Sequence, residues 1–237
     1  MRYWLGVDFG QANDPTAISV VERVPIAVGE REVEEKAGLL SWRKKSVPVL
    51  GHELHVRDLV RPPLRTSYER TADQIAAKVG QLEPTGAFGE RGEIGLCVDA
   101  TGVGRAVCDM LTSRLRSLTR GPKVHLWPVV VTGGNRVTRN GEFIGCPKRD
   151  LISAGLIALQ DGRLKIPQSI PETETLKQEL LDYRVRITLR SGHDTYEPWR
   201  EGAHDDLLFS LCLATWAWGY TKRSYEEHAI ATPRTAR

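Results

Sequence analysis

The stretch GVDFGQANDPTAISVV, residues 6–21, decides how the chain is read. An apolar run leads into Asp8. A polar loop containing Gly10 carries a second acid, Asp14. A β-branched run then begins. Tyr3–Phe9 reads as a buried strand and Thr16–Val24 as a second one. The short loop between them fits an antiparallel hairpin. A carboxylate at the end of a buried strand has three readings: a metal ligand, part of a phosphate loop, or a turn residue with no chemistry.

Working outward, Glu30–Lys45 is highly charged and reads as a solvated excursion or an extension of the hairpin. His52–Val60 alternates as a third strand, ended by Pro62 and Pro63. Thr66–Leu82 reads as a helix, capped by Thr66 or Ser67, with Ile75, Val79 and Leu82 on one stripe. Glu83–Glu93 reads as a loop. IGLCVD (94–99) is nearly all apolar and ends on Asp99, which suits a strand buried on both faces. Gly102 and Gly104 turn the chain into a helix over Arg105–Leu118. Val124–Val131 reads as a strand and Thr132–Gly145 as a basic, glycine-rich loop. Pro147 opens a helix, in its first turn, that runs to about Gln160. DGRLKIP (161–167) reads as a turn and a short strand, and Glu172–Asp182 as a helix. Tyr183–Leu189 and Thr195–Trp199 read as a hairpin around Ser191–Asp194. His204–Tyr220 is apolar almost all round and reads as a buried helix. A loose polar tail follows from Thr221. The order predicts an α/β domain with a mixed sheet over residues 1–220, and a tail over 221–237.

The 237 residues, 41% hydrophobic, can bury a sizeable core, which argues against wholesale disorder. No apolar run is long enough to cross a bilayer, and the N-terminus reaches Asp8 too soon to hold a signal peptide, so the expectation is a cytosolic protein without a membrane partner. The four cysteines form no CxxC pair and read as buried thiols, not as a zinc site. A net charge of +3 permits a nucleic-acid partner only where basic residues cluster.

Three acidic positions stand out. Asp8 and Asp99 each end a strand. Asp205 and Asp206 begin the last, buried helix. If the strands bearing Asp8 and Asp99 are parallel neighbours, both carboxylates emerge at one sheet end, where open α/β sheets place their sites. A helix packed on that sheet brings Asp205 or Asp206 to the same spot. Converging carboxylates repel one another, and a divalent cation removes that cost. Oxygen-only ligands favour Mg²⁺ or Mn²⁺ over zinc. Each acid also has a plain reading: Asp8 and Asp14 as turn formers, Asp99 as a strand end, Asp205 or Asp206 as a helix cap. His204 reads as structural, not catalytic.

The segments GVDFGQANDPTAI, LCVDATGVG, CPKRDLISAGLIALQDGRLKIP and HDDLLFSLCLA resemble, in the same order, the nuclease domain of the large terminase subunit of tailed bacteriophages. The resemblance covers about residues 1–220. It implies an RNase H-like (retroviral integrase-like) fold, a mixed central sheet flanked by helices. It also implies a two-metal endonuclease, using Mg²⁺ or Mn²⁺, that cuts concatemeric viral DNA during genome packaging. By motif, Asp8 is the first-strand acid bridging both metals, Asp99 the second acid and Asp206 the helix acid. Asp205 is its alternate, and Asp14 matches an extra loop acid. The implied partners are double-stranded DNA, a packaging ATPase, a portal and a small terminase subunit, in the cytoplasm of an infected bacterium. Nothing matches GxxxxGK[ST], so the chain reads as the nuclease domain without the packaging ATPase.

DNA would be held by its phosphates. The candidate contacts are Arg43, Lys44, Lys45, Arg105, Arg136, Arg139, Lys148 and Arg149, with the Thr132–Gly145 loop foremost. Three other readings stay open beside this one. A Holliday-junction resolvase-like nuclease would also use four acids. An actin-like ATPase would begin with a similar strand, but DFGQANDP lacks its Gly-Thr/Ser run. A third, a catalytically silent DNA-binding or assembly module, would not cleave at all.

Overall fold

The computed structural model describes residues 1–10, 14–36, 42–82, 92–102, 104–118, 121–189 and 204–231. One eight-stranded mixed sheet runs through it. The strands are β1 (Tyr3–Asp8), β2 (Ala17–Lys36), β3 (Trp42–Val60), β4 (Glu93–Asp99), β5 (Lys123–Thr132), β6 (Thr138–Asn140), β7 (Phe143–Pro147) and β8 (Leu164–Lys165). They lie in the order β6-β7-β5-β4-β1-β2-β3-β8. β1, β2 and β3 form an antiparallel meander, while β4 lies parallel to both β1 and β5. The helices are α1 (Tyr68–Gln81), α2 (Gly104–Arg116), α3 (Lys148–Gln160), α4 (Thr173–Leu189) and α5 (Asp206–Ala231). Among the described residues, no helix is long and apolar enough to cross a membrane.

The two-residue period of a strand divides the core into two layers. Leu5 and Val7 of β1, and Ile94, Leu96 and Val98 of β4, point to one face, where Ile75 and Val79 of α1 and Leu111 of α2 meet them. Trp4 of β1 and Cys97 of β4 point to the other face and join the cluster built around α5. By the same period Gly6 and Asp8 share Trp4's face, and Asp99 shares that of Cys97. Both strand-end acids therefore open on the α5 side.

α5 is buried almost all round from Leu207 to Ala217, which explains its lack of a polar face. It lies against β1 at Gly6. A Cβ there would land on the carbonyl of Ser210 and the amide of Ala214. A hydroxyl pair fixes the same spot: Ser19 Oγ of β2 is 2.5 Å from Ser210 Oγ. Ser210 donates to the Leu207 carbonyl at 2.9 Å, which leaves Ser19 as donor in the pair. On the far side of α5, Gly155 of α3 has no Cβ to collide with Cys212.

Of the two readings of the charged segment after Val24, the hairpin extension holds: β2 and β3 pair from Ile18 with Val60 out to Lys36 with Trp42, with register shifts at Val20/Val21 and Ala27/Gly29. Cross-strand ion pairs such as Lys44–Glu32 and Arg43–Glu35 line this ribbon, so its charges serve strand pairing. Of the two candidate caps of α1, Ser67 is the one that accepts from the Arg70 amide. Other elements differ from the sequence reading. Pro147 ends β7 and stands at the cap position of α3, which begins at Lys148. The stretch expected to be a loop, Thr132–Gly145, contains β6 and most of β7, joined at Gly141 with φ +62°. The asparagine–glycine step there is a hairpin signal, and it prevails over the basic, glycine-rich composition that suggests a loop. Tyr183–Leu189 continues α4 and forms no strand. Leu176, Leu180 and Tyr183 share a helical stripe, and that period prevails over the β-branched content of VRIT. α5 runs on past Tyr220 to Ala231. Gln11–Asn13, most of the Glu83–Glu93 loop, the Ser191–Asp194 element with Thr195–Trp199, and residues 232–237 lie outside the described residues.

Replacing Gly6 by alanine should force α5 off the sheet, because the collision is with backbone. Denaturant unfolding should show a loss of about 3 kcal/mol or more. An unchanged midpoint would mean that α5 does not approach β1 as described.

Candidate active site

β1 and β4 are parallel neighbours in register, with Val7 beside Val98, so Asp8 and Asp99 leave the sheet side by side. Asp99 is held in a local turn. Its Oδ1 accepts from the Thr101 amide at 2.8 Å and from Thr101 Oγ1 at 2.5 Å. Thr101 Oγ1 in turn accepts from the Val131 amide at 2.8 Å, which ties the turn to β5. α5 begins over the same sheet end. The Asp205 carbonyl accepts the Phe209 amide at 2.8 Å, and Asp206 lies in the first turn, only 8% exposed. A helix N-terminus favours carboxylates, which suits the first turn of α5 to both aspartates.

The charges report how closely these groups converge. Burial raises Asp8 well above the usual carboxylate range, and the negative charges of Asp99, Asp206 and Asp205 raise it further, while Lys148 opposes them. Burial raises Asp99 as well, against its Thr101 hydrogen bonds and Lys148. Asp206 is pushed up to about 6, by burial first and then by Asp205 and Asp14, with His204 and Arg61 pulling it down. Asp14, exposed in the loop after Gly10, thus belongs to the same field. It lines a cleft of roughly 350 Å³ with Gly10, Thr16 and the Pro63–Tyr68 segment.

Three of the acids have definite partners. Asp99 has Thr101. Asp206 Oδ2 lies 3.3 Å from Arg61 Nη2 and 3.5 Å from His204 Nδ1, and Asp205 Oδ2 lies 3.8 Å from Lys148 Nζ. Among the described residues, no three His, Cys, Asp or Glu side chains stand close enough together to hold a metal ion. The donor set still fits a hard divalent ion: oxygens only, converging, and mutually repelled.

The basic residues sit in different surroundings. Lys148 lies among the acids, beside Asp205 and over the Phe209 ring. Arg105 pairs with Glu142, and Arg149 with Asp150. Arg43, Lys44 and Lys45 pair with glutamates of β2. Arg136 and Arg139 are exposed, and neither has a carboxylate partner among the described residues. Arg136 follows the carboxyl end of β5, and Arg139 on the edge strand β6 pairs with Ile144, level with Val129 and Asp99 but three strands from β4. The four cysteines are buried thiols. Burial pushes Cys146 and Cys212 up to about 12, which leaves no thiolate for nucleophilic chemistry.

Two residues near the acids escaped the sequence reading. Arg61 sits between β3 and a proline pair, and nothing local signals its role. Glu179 of α4 is buried, and burial pushes it up to about 7. Its signal was present: a carboxylate on the stripe of Leu176, Leu180 and Tyr183, where an apolar residue belongs.

Strand-end acids on a meander-plus-parallel sheet, facing one buried helix, define the RNase H-like fold. In particular, the chain has the fold of terminase nuclease domains. The human cytomegalovirus terminase nuclease domain, Mn soaked and inhibitor bound, superimposes with a TM-score of 0.53 at 14% identity, over 90% of this chain and 81% of that one. The same domain soaked with Mn gives 0.50 at 14% identity, over 91% and 83%. The large terminase nuclease of thermophilic phage G20c gives 0.47 at 17% identity, over 90% and 80%. No protein-family model and no curated protein sequence matches the chain.

Acids whose folded pKa is raised favour the protonated native state. Their contribution is complete below the unfolded pKa and is lost as pH rises through the folded one. For Asp206 the window is from 3.8 to about 6, and for Glu179 from 4.5 to about 7. In EDTA, stability should therefore fall between about pH 4 and pH 7, by on the order of 1–3 kcal/mol. Asp206→Asn should flatten the decline in a melting series across that range, and an equally steep decline in the variant would contradict the assignment.

Proposed function

We propose that this chain is a metal-dependent endonuclease that cuts double-stranded DNA, and that its role is to cleave concatemeric viral DNA during genome packaging. The observation that carries this reading is the convergence of Asp8, Asp99 and Asp206, from two parallel strand ends and one helix start, on one face of the sheet. Asp8, Asp99 and Asp206 would hold Mg²⁺ or Mn²⁺, with Asp205 and Asp14 as additional carboxylates beside them. When bound, two such ions supply an activated water and neutralise charge at the scissile phosphate. No protein nucleophile is required.

The remaining residues bind and orient. Arg136 and Arg139 face the phosphates of the duplex, and a cleft lined by Gly10, Asp14, Thr16 and Pro63–Tyr68 opens beside the Asp14 carboxylate. Arg61 and Lys148 neutralise the carboxylates until a cation takes their place, and then become available to the DNA backbone. Contacts of this kind position the duplex without reading its sequence. By resemblance the working partners are a packaging ATPase, a portal and a small terminase subunit, in the cytoplasm of an infected bacterium.

The test is plasmid digestion with Mg²⁺, Mn²⁺ or EDTA. Nicking and linearisation should occur only with metal. Asp8→Ala, Asp99→Ala and Asp206→Ala should each lose more than about a hundredfold in rate, since even outer-shell partners of metal ligands cost 10–100-fold. Full cleavage in EDTA, or by Asp8→Ala, would sink the proposal. A strong preference for four-way junctions over linear duplex would point instead to a resolvase. Replacing Arg136 and Arg139 by alanine should weaken DNA binding. The log–log salt dependence should flatten by about one unit for each phosphate that is no longer neutralised, as read by a filter-binding salt titration.

A further inference from the structure

A helix that begins with aspartate usually uses that side chain to satisfy its own first-turn amides. α5 does not rely on Asp205 for the Leu208 amide. Asp205 Oδ2 faces Lys148, and the Leu208 amide donates to Glu179 Oε2 of α4 at 2.8 Å. Leu208 is the third residue of α5, whose amide has no partner inside the helix. The acceptor thus comes from another helix, 29 positions away in sequence.

Glu179 is 6% exposed and occupies a position between Leu176 and Leu180 on a stripe that packs into the core. Its second oxygen, Oε1, is buried without a hydrogen-bond partner among the described residues. A buried acceptor left unsatisfied costs about 1–3 kcal/mol. Leucine or methionine would avoid that cost if packing were the only requirement.

We infer that Glu179 is a positioning residue: it caps α5 in place of Asp205, so that Asp205 and Asp206 are both free to face the acidic site. This rests on the reading of those acids as metal ligands. The acceptor, not the negative charge, is what the Leu208 amide needs. Removing it lets Asp205 turn back to cap its own helix, and moves Asp206 with the first turn.

Glu179→Met keeps the length and removes both oxygens, whereas Glu179→Gln keeps an acceptor. Three quantities would be measured on the full chain: Mn²⁺ binding by calorimetry, hydrogen exchange at the Leu208 amide, and kcat and KM for duplex cleavage. The methionine variant should exchange Leu208 faster, bind Mn²⁺ about tenfold more weakly and lose about tenfold in kcat with little change in KM. The glutamine variant should stay within about threefold of wild type in all three. Wild-type Mn²⁺ binding and kcat in a folded methionine variant would reduce Glu179 to packing and overturn the inference. So would a glutamine variant as impaired as the methionine one. If Glu179→Met does not fold, Glu179→Asp, whose acceptor is one methylene short, should fall below Glu179→Gln, and the reverse order overturns the inference. Wild type that neither binds Mn²⁺ nor cleaves would defeat the nuclease reading alone. Unchanged Leu208 exchange in the variant would defeat the cap alone.

Discussion

Gly6 has no side chain, and the backbone of α5 occupies the space where one would be. The acidic site depends on that contact. Only a helix lying this close to β1 can bring its first turn over the ends of β1 and β4. The Ser19–Ser210 hydroxyl pair holds the helix at the same level, and Gly155 lets α3 close on its other side. Small residues at these places set the depth of the helix, and the apolar shell around Leu207–Ala217 keeps it there.

What the contact produces is electrostatically unfavourable. Asp8, Asp99, Asp205 and Asp206 are brought together, and Asp99, Asp205 and Asp206 raise the affinity of Asp8 for a proton, as Asp205 does that of Asp206. The protein answers with internal counter-charges, Arg61, His204 and Lys148, and with the Thr101 hydroxyl. Such an arrangement is costly to fold.

Much of the fold was legible in the sequence because strand burial leaves a direct record. IGLCVD is apolar at every position that has sheet or helix on both sides, and the run stops where Asp99 emerges. GVD before a polar loop carries the same message for β1. The charged ribbon was less legible, since cross-strand ion pairs make a strand look like a solvated loop. The VRIT segment misled in the opposite direction, because β-branched residues continue a helix when a preceding stripe already anchors it.

The acids of the site were likewise readable as strand ends and a helix start, since their neighbours in sequence define those ends. The partners of their supporting residues were not, although Glu179 interrupts an apolar stripe. Arg61, Lys148 and Glu179 matter through contacts with residues 145, 57 and 29 positions away, and no local pattern encodes such distances. The sequence by itself determined which residues are apolar, at what period, and where carboxylates interrupt them. Only the tertiary structure decided which counter-charge each carboxylate meets and which helix caps which. Those choices follow from the packing of α3, α4 and α5 on one sheet face, and that packing exists only once the whole sheet is assembled.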